Sequence, residues 1–147
     1  MRVSQKTEYT LRAMLELARQ SNPPHPVRSA EIARNQHIPE KFLELILVEL
    51  RRAGLVSSLR GPDGGHQLAR DPQQISVGDI WRVIEGVQEE PSRNGHRIAS
   101  GKSDAANPFA AVWIQVDRAI AEVVDGITLE EIRARAESKH AVPDFSI

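Results

Sequence analysis

The stretch 50-LRRAGLVSSLRGPDGGHQLARD-71 decides the fold. Two short segments of mixed apolar and polar residues, 56–59 and 66–68, flank Gly61-Pro62-Asp63-Gly64-Gly65. That pentapeptide is turn chemistry: proline presets one backbone angle, and glycines accept conformations that other residues resist. A two-stranded hairpin is the expectation. Arg60 stands just before the turn, and Arg51-Arg52 precede the first strand. A cation at a hairpin tip, directly after a helix that ends in two more, needs a reason, and the flanking residues supply one.

Upstream, Leu43, Ile46, Leu47 and Leu50 fall at i, i+3, i+4 and i+7, the buried stripe of a helix over 39–53. Pro39 suits its first position, where a missing N–H costs nothing. Gly54 suits a left-handed cap at its end. Before it, Ser29 is expected to cap a short helix over 30–36, with Glu31 in the first turn and a tight turn at His37-Ile38. Residues 5–19 form a first helix on Leu11, Met14, Leu15 and Ala18, with Tyr9 and Leu17 alongside. Ser21-Asn22-Pro23-Pro24-His25-Pro26 ends it.

Downstream, Asp71-Pro72-Gln73-Gln74 is a connector, Ser76 caps a helix over 77–85, and Gly86 stops it. Residues 87–107 are rich in Gly, Ser, Asn, Asp, Lys and Pro, with Val87 and Ile98 the large aliphatics, and read as a flexible loop. A long helix follows over 108–125, with Phe109, Val112, Trp113, Val116, Ile120, Val123 and Val124 along one broad face. Gly126 ends it, and Thr128-Leu129-Glu130-Glu131 is a capping box opening a last helix to about residue 138.

The expected fold class is mainly α with a small β-hairpin: helix, short helix, tight turn, longer helix and hairpin make a winged helix-turn-helix. The expected organisation is a winged helix-turn-helix over 1–86, the loop over 87–107, and a dimerisation helix with a C-terminal helix over 108–140. The long helix exposes an apolar stripe about 27 Å in length at 1.5 Å per residue. A 147-residue chain has little left to cover it, so a homodimer is expected, with Trp113 as interface anchor beside Phe109, Val112, Val116, Ile120 and Val123.

The second helix of a helix-turn-helix lies in the DNA major groove. Opposite its buried stripe, helix 39–53 presents Lys41, Glu44, Leu45 and Val48. Lys41 can reach a phosphate or guanine, Glu44 can accept from cytosine N4, and Leu45 can pack on a thymine methyl. Arg51 and Arg52 are placed for phosphates. The hairpin tip lands over the neighbouring minor groove, where an inserted arginine is favoured if the groove is narrow, and Arg60 and Gly61 sit there. This accounts for the cation at the turn.

Composition bounds the alternatives. The net charge is −1, but residues 1–70 carry 11 Lys+Arg against 7 Asp+Glu, and residues 71–147 carry 8 against 13. A basic front half fits a polyanionic partner, double-stranded DNA. There is no cysteine, which removes disulfides, thiolate metal sites and cysteine-ligated iron–sulfur clusters. No apolar run approaches the ~20 residues of a membrane span. The opening Met1-Arg2-Val3-Ser4-Gln5-Lys6 lacks a signal peptide's apolar stretch, so the cytoplasm is expected and no membrane contact. An enzyme is not expected: there is no phosphate loop between strand and helix, no nucleophile elbow and no His-Glu-x-x-His. A winged protein-interaction module is the alternative that Glu40, Glu44 and Glu49 keep open.

The segments YTLRAMLELA, IPEKFLELILVELRRAGLVSSLRGPDGGHQLAR and ISVGDIWRVIEG, over about residues 1–86, closely resemble the Rrf-two family of bacterial winged-helix transcription regulators, as does WIQVDRAIAEVVDGITLEEI over 113–132. That family includes IscR-like iron–sulfur regulators, nitric-oxide sensors and CymR-like cysteine-metabolism repressors. The resemblance implies a dimer on an imperfect palindrome, probed by recognition-helix positions that fall on Lys41, Glu44 and Leu45 and a wing arginine on Arg60. It implies that the long helix crosses its mate and the N-terminal helix braces it. Three departures are visible. Leu45 lies where many relatives have glutamine. His66 replaces the usual aromatic after the double glycine, with a core-facing, wing-stacking role expected. The cluster-binding branches place three cysteines in 87–107, where this chain has Ser92, Ile98, Ser103 and Asn107. His96, Asp104, Glu89 and Glu90 there are metal-ligand types but ordinary in a flexible loop, and no metal or other cofactor is expected. The cysteine-free loop and short aliphatic tail resemble the CymR-like branch, which implies control through a small molecule or a protein partner such as a cysteine-biosynthetic enzyme. A repressor is the expected mode.

Overall fold

The computed structural model describes residues 3–85 and 107–141, the side chains of 139–141 aside. Along them run α1 (Gln5–Arg19), α2 (Ser29–Gln36), α3 (Glu40–Arg52), β1 (Val56–Leu59), β2 (Gly65–Leu68), a 3-10 turn at Pro72–Gln74, α4 (Val77–Glu85), α5 (Ala110–Asp125) and α6 (Leu129–Ala141). The architecture is a winged helix-turn-helix, mostly helical with one small antiparallel hairpin. Gly86 and the expected loop over 87–107 lie largely outside the described residues.

The helix ends follow local hydrogen bonding. Ser4 caps α1, its Oγ accepting from the Thr7 N–H at 3.1 Å. Ser76 caps α4 reciprocally: its Oγ accepts from the Asp79 N–H and Asp79 accepts from the Ser76 N–H, both at 2.9 Å. Ser29 is not a cap. The Arg28 carbonyl already accepts from the N–H groups of Glu31 and Ile32, so Arg28 is the flanking residue and Ser29 lies inside the first turn. Pro39 likewise stands one residue outside α3, with extended ψ of 127° and a carbonyl that accepts from Leu43. Asn107 starts the long helix later than expected: its side-chain oxygen takes the Phe109 N–H at 3.0 Å, leaving 108–109 as a turn before Ala110.

At the other end of α3, Gly54 has φ of +76°, the Gly54 N–H bonds to the Arg51 carbonyl and the Leu55 N–H to the Leu50 carbonyl. This paired closure requires a left-handed residue, and it turns Leu55 onto Leu50 in the core. The chain then enters the wing, where Val56 pairs with Leu68 and Ser58 with His66. Val27 adds a third edge that the sequence pattern did not mark: it exchanges both backbone hydrogen bonds with His66, at 2.8 and 2.7 Å. Gly65 permits this approach, since a Cβ there would meet the Val27 backbone at 2.7 Å.

The core gathers Met14 and Leu17 from α1, Ile32 from α2, the Leu43, Ile46, Leu47 and Leu50 stripe of α3, and Val27, Leu55, Ile75 and Ile80. Burying each large aliphatic contributes roughly 1.5–3 kcal/mol. One carboxylate is buried with them. Glu16 accepts from Asn35 Nδ2 (2.9 Å), Gln36 Nε2 (2.8 Å) and Gln20 Nε2 (3.0 Å), while Arg12 donates to the Gln36 carbonyl (3.0 Å). Burial would raise the Glu16 carboxyl, but these hydrogen bonds, with Arg19 nearby, hold it below the usual carboxylate range. The network therefore ties α1 to the end of α2, just before the left-handed His37 that turns the chain into α3.

The C-terminal part returns to this unit. The Val77 N–H bonds to the Ile127 carbonyl at 2.9 Å and the Leu129 N–H to the Ile75 carbonyl at 2.8 Å, which seats Leu129 in the core. Beside this seam Arg82 grips Asp125 with two hydrogen bonds of 2.7 Å. Helix α6 packs on α1, whereas α5 touches α4 and buries none of its own residues. Among the described residues no helix is long and apolar enough to cross a membrane.

Candidate nucleic-acid interface

Helix α3 divides as its periodicity requires. Its four stripe residues are at most 1% exposed, and its opposite face carries Lys41, Glu44 and Leu45 in solvent. Leu45 is 65% exposed, an unusual setting for a large aliphatic in the middle of a helix. A cation, a carboxylate and a branched alkyl group side by side match what base edges offer in the major groove: acceptors, a donor amine and a methyl. Val48, expected on this face, is half-buried and marks its edge. Arg51 and Arg52 are exposed in the last turn, and Arg60 and Gly61 are exposed at the wing tip.

The acidic face that kept an interaction module open is smaller than the sequence suggests. Glu49 is turned into an ion pair with Lys6 of α1 at 2.9 Å, leaving Glu40 and Glu44 exposed on α3. Near the start of α3, Phe42 meets Tyr9 edge-on with ring centroids 5.5 Å apart, and the Arg12 guanidinium lies 5.0 Å from the Tyr9 ring centre. The Tyr9–Phe42 contact fastens α3 to α1, and Arg12 braces the Tyr9 ring from within α1.

Two polar residues of this surface, Arg28 and Ser58, escaped the sequence reading, and a third, His66, has a partner that the reading did not name. Arg28, exposed beside the Val27 edge, donates to the carbonyl of Pro62 in the wing turn. Ser58 on β1 faces His66 on β2, with Oγ and Nδ1 2.7 Å apart, and Arg51 Nη1 approaches the same hydroxyl at 3.4 Å. His66 is thus a half-buried wing residue, hydrogen-bonded across the hairpin and facing the end of α3. Burial, and after it the Arg51 charge, hold its imidazole below its ordinary range. The Ser58–His66 pairing was available from the hairpin register; the Arg28 contact depends on Val27 joining the wing.

Helix α5 offers a second candidate surface. Phe109 and Val123 are each 61% exposed, Val112 and Trp113 are also exposed, and Val116 and Ile120 are half-buried. Ile114, absent from the expected stripe, is exposed too. Among the described residues no group of three or more His, Asp or Glu is gathered as a metal ion would need. His96, Asp104, Glu89 and Glu90 lie outside the described residues.

Comparison with known proteins agrees with this geometry. The sequence profile of the Rrf2 (Rrf-two) family, described as "Iron-dependent Transcriptional regulator", matches residues 3–135. The HTH-type transcriptional regulator CymR of Bacillus subtilis is 32% identical over the whole of both chains. The solved structure titled "T. potens IscR" superposes with a TM-score of 0.79 at 36% identity, covering 99% of this chain and 95% of that one. The structure of B. subtilis CymR, titled "the Global Cysteine Regulator", gives a TM-score of 0.76 at 34% identity, covering 92% and 98%. The family is regulatory rather than enzymatic, and this member carries no cysteine with which to ligate a cluster. With its winged helix-turn-helix and its end-to-end similarity to these regulators, the chain belongs to the Rrf2 family of HTH-type transcription regulators.

Proposed function

We propose that this chain is a cytoplasmic, sequence-specific repressor that binds a palindromic operator as a homodimer. Helix α3 enters the major groove, where Lys41, Glu44 and Leu45 meet base edges, Val48 flanks them, and Arg51 and Arg52 hold phosphates. Arg60, with Gly61 beside it, reaches into the adjacent minor groove. The observation that carries this reading is the solvent-exposed Leu45 between Lys41 and the half-buried Val48, on the face opposite a fully buried stripe and next to a cationic wing.

In this reading residues 1–86 are the DNA-binding unit, 108–140 the pairing unit, and 87–107 the connection between them. Two α5 helices cross through Phe109, Val112, Trp113, Val116, Ile120 and Val123. The exposed apolar face of a helix with no fully buried residue in its own chain supports that pairing. Two-fold symmetry sets the recognition helices about one DNA turn, ~34 Å, apart. Control comes from a small molecule or a protein partner, such as a cysteine-biosynthetic enzyme, rather than from a cysteine-ligated cluster. The absence of cysteine and the full-length similarity to a CymR support this choice. The test is selection of bound fragments from the parent genome. Enrichment of a two-fold symmetric motif is expected, and recovery no better than the input pool contradicts the proposal.

A further inference from the structure

The seam between α3 and the wing holds a cluster that a generic phosphate contact does not need. Arg51 Nη1 lies 3.4 Å from Ser58 Oγ, and that oxygen lies 2.7 Å from His66 Nδ1. Arg51 and Ser58 are exposed and His66 is half-buried behind them. The His66 backbone is fixed by its two hydrogen bonds to Val27, and its ring is tied across the hairpin to the Ser58 hydroxyl. That hydrogen bond and the ring's partial burial orient the imidazole toward Ser58.

We propose that Arg51, Ser58 and His66 form a proton-coupled clamp for one DNA backbone phosphate, so that duplex binding takes up a proton at His66. The inference rests on the DNA-binding reading above and adds a regulatory variable to it. With a neutral ring accepting at Nδ1, the Ser58 hydroxyl spends its only proton on His66 and has none for a ligand. With a protonated ring the bond reverses: Nδ1–H donates to Ser58 Oγ, Arg51 donates to the same oxygen, and the hydroxyl proton turns outward. The site then presents the Arg51 guanidinium, a hydroxyl donor and a second positive charge to one oxyanion. Each clamp takes one proton from the buffer, and no bond other than hydrogen bonds changes.

The electrostatics explain why the free protein waits. Of the charged groups around it, Arg51 on α3 is the one that bears on the ring, and like burial it opposes protonation. Arg28, next to the Val27 edge, is engaged with Pro62, while Arg60 and Asp63 lie on the exposed turn, and α1, which also packs on β2, adds no charge that shifts the ring. A phosphate offsets both positive charges at once, so the imidazole pKa rises on binding. Affinity then increases as pH falls through the interval between the raised and the lowered values, and levels off below the latter.

The experiment is fluorescence anisotropy of a mixed-sequence duplex of about 30 base pairs with the full chain, at constant low salt, from about pH 8 to 5.5. The wild type is expected to tighten by up to about tenfold per pH unit for each engaged clamp. His66→Gln is expected to lose that slope. The other histidines are common to both proteins, so their contributions cancel in the comparison. Equal slopes in the two proteins overturn the clamp and leave the DNA reading standing. No duplex binding at any pH overturns both. As a check that needs no variant, NMR titration of the wild-type His66 ring with and without duplex should show a higher pKa when bound; an unchanged value overturns the inference.

Discussion

In α3 the apolar side chains at 43, 46, 47 and 50 are at most 1% exposed, whereas α5, 16 residues against 13, buries none of its own. Both helices carry amphipathic patterns that sequence inspection finds equally well. The difference lies in what surrounds them. Helix α3 sits among α1, α2, α4 and β1, and its end is turned by a left-handed Gly54 that brings Leu55 back onto Leu50. Helix α5 is held at its C-terminal end, by the Arg82–Asp125 fork and the Ile75–Leu129 seam, and extends its Phe109 end into solvent. Periodicity states that a face is apolar. It does not state whether the same chain or a second copy covers that face.

Substitutions on the two helices should therefore fail in different ways. Leu47→Ala removes a fully buried side chain and should cost about 2–5 kcal/mol of protomer stability in chemical denaturation. A loss under ~1 kcal/mol would mean that the α3 stripe is less essential to the core than its burial implies. Trp113→Asp should leave the protomer folded but weaken self-association by at least about 2 kcal/mol, read as a concentration-dependent fall in mass by light scattering. A dimer that persists in that variant breaks the contrast between the helices. On the solvent face of α3, Glu44→Ala should leave stability within about 0.5 kcal/mol. It should also relax base preference by about 1–3 kcal/mol at one position of the selected motif. An unchanged motif would move Glu44 out of the groove.

The smallest effect concerns the link between α1 and the turn. Because Glu16 is held below its usual range when folded, its contribution to stability is present above the unfolded pKa and disappears as pH falls through the folded one. Stability of the wild type should drop on the acid side of the ordinary glutamate range, and Glu16→Gln should flatten that limb. Parallel acid limbs in the two proteins would show that the carboxylate contributes nothing specific.

Local chemistry made most of this fold legible. The boundaries of α1, the Ser76 cap, the Gly54 closure and the hairpin are each determined by residues within a turn of one another. The errors at Ser29 and Pro39 are one residue deep, because capping depends on which carbonyl takes the first helical N–H, and composition does not settle that. What the sequence hid is long-range. Val27 joins the wing 39 positions away at His66, and Leu129 reaches the core through Ile75; neither leaves a periodic trace. The candidate surface followed the same rule. Lys41, Glu44, Leu45 and Arg60 lie on one element or one turn, and their exposure was legible, whereas Glu49 is taken out of the acidic face by Lys6, 43 positions away. The Arg51–Ser58–His66 cluster emerges when a helix end and two strands are brought together.

If an exposed helix face and a cationic wing, present twice in a dimer, hold duplex DNA, the affinity of the intact protein for its selected duplex must depend steeply on salt. With Arg51, Arg52 and Arg60 of two protomers releasing counterions, log K should fall linearly with log salt with a slope of about −5. A slope near zero, or no binding even in dilute buffer, would contradict the account.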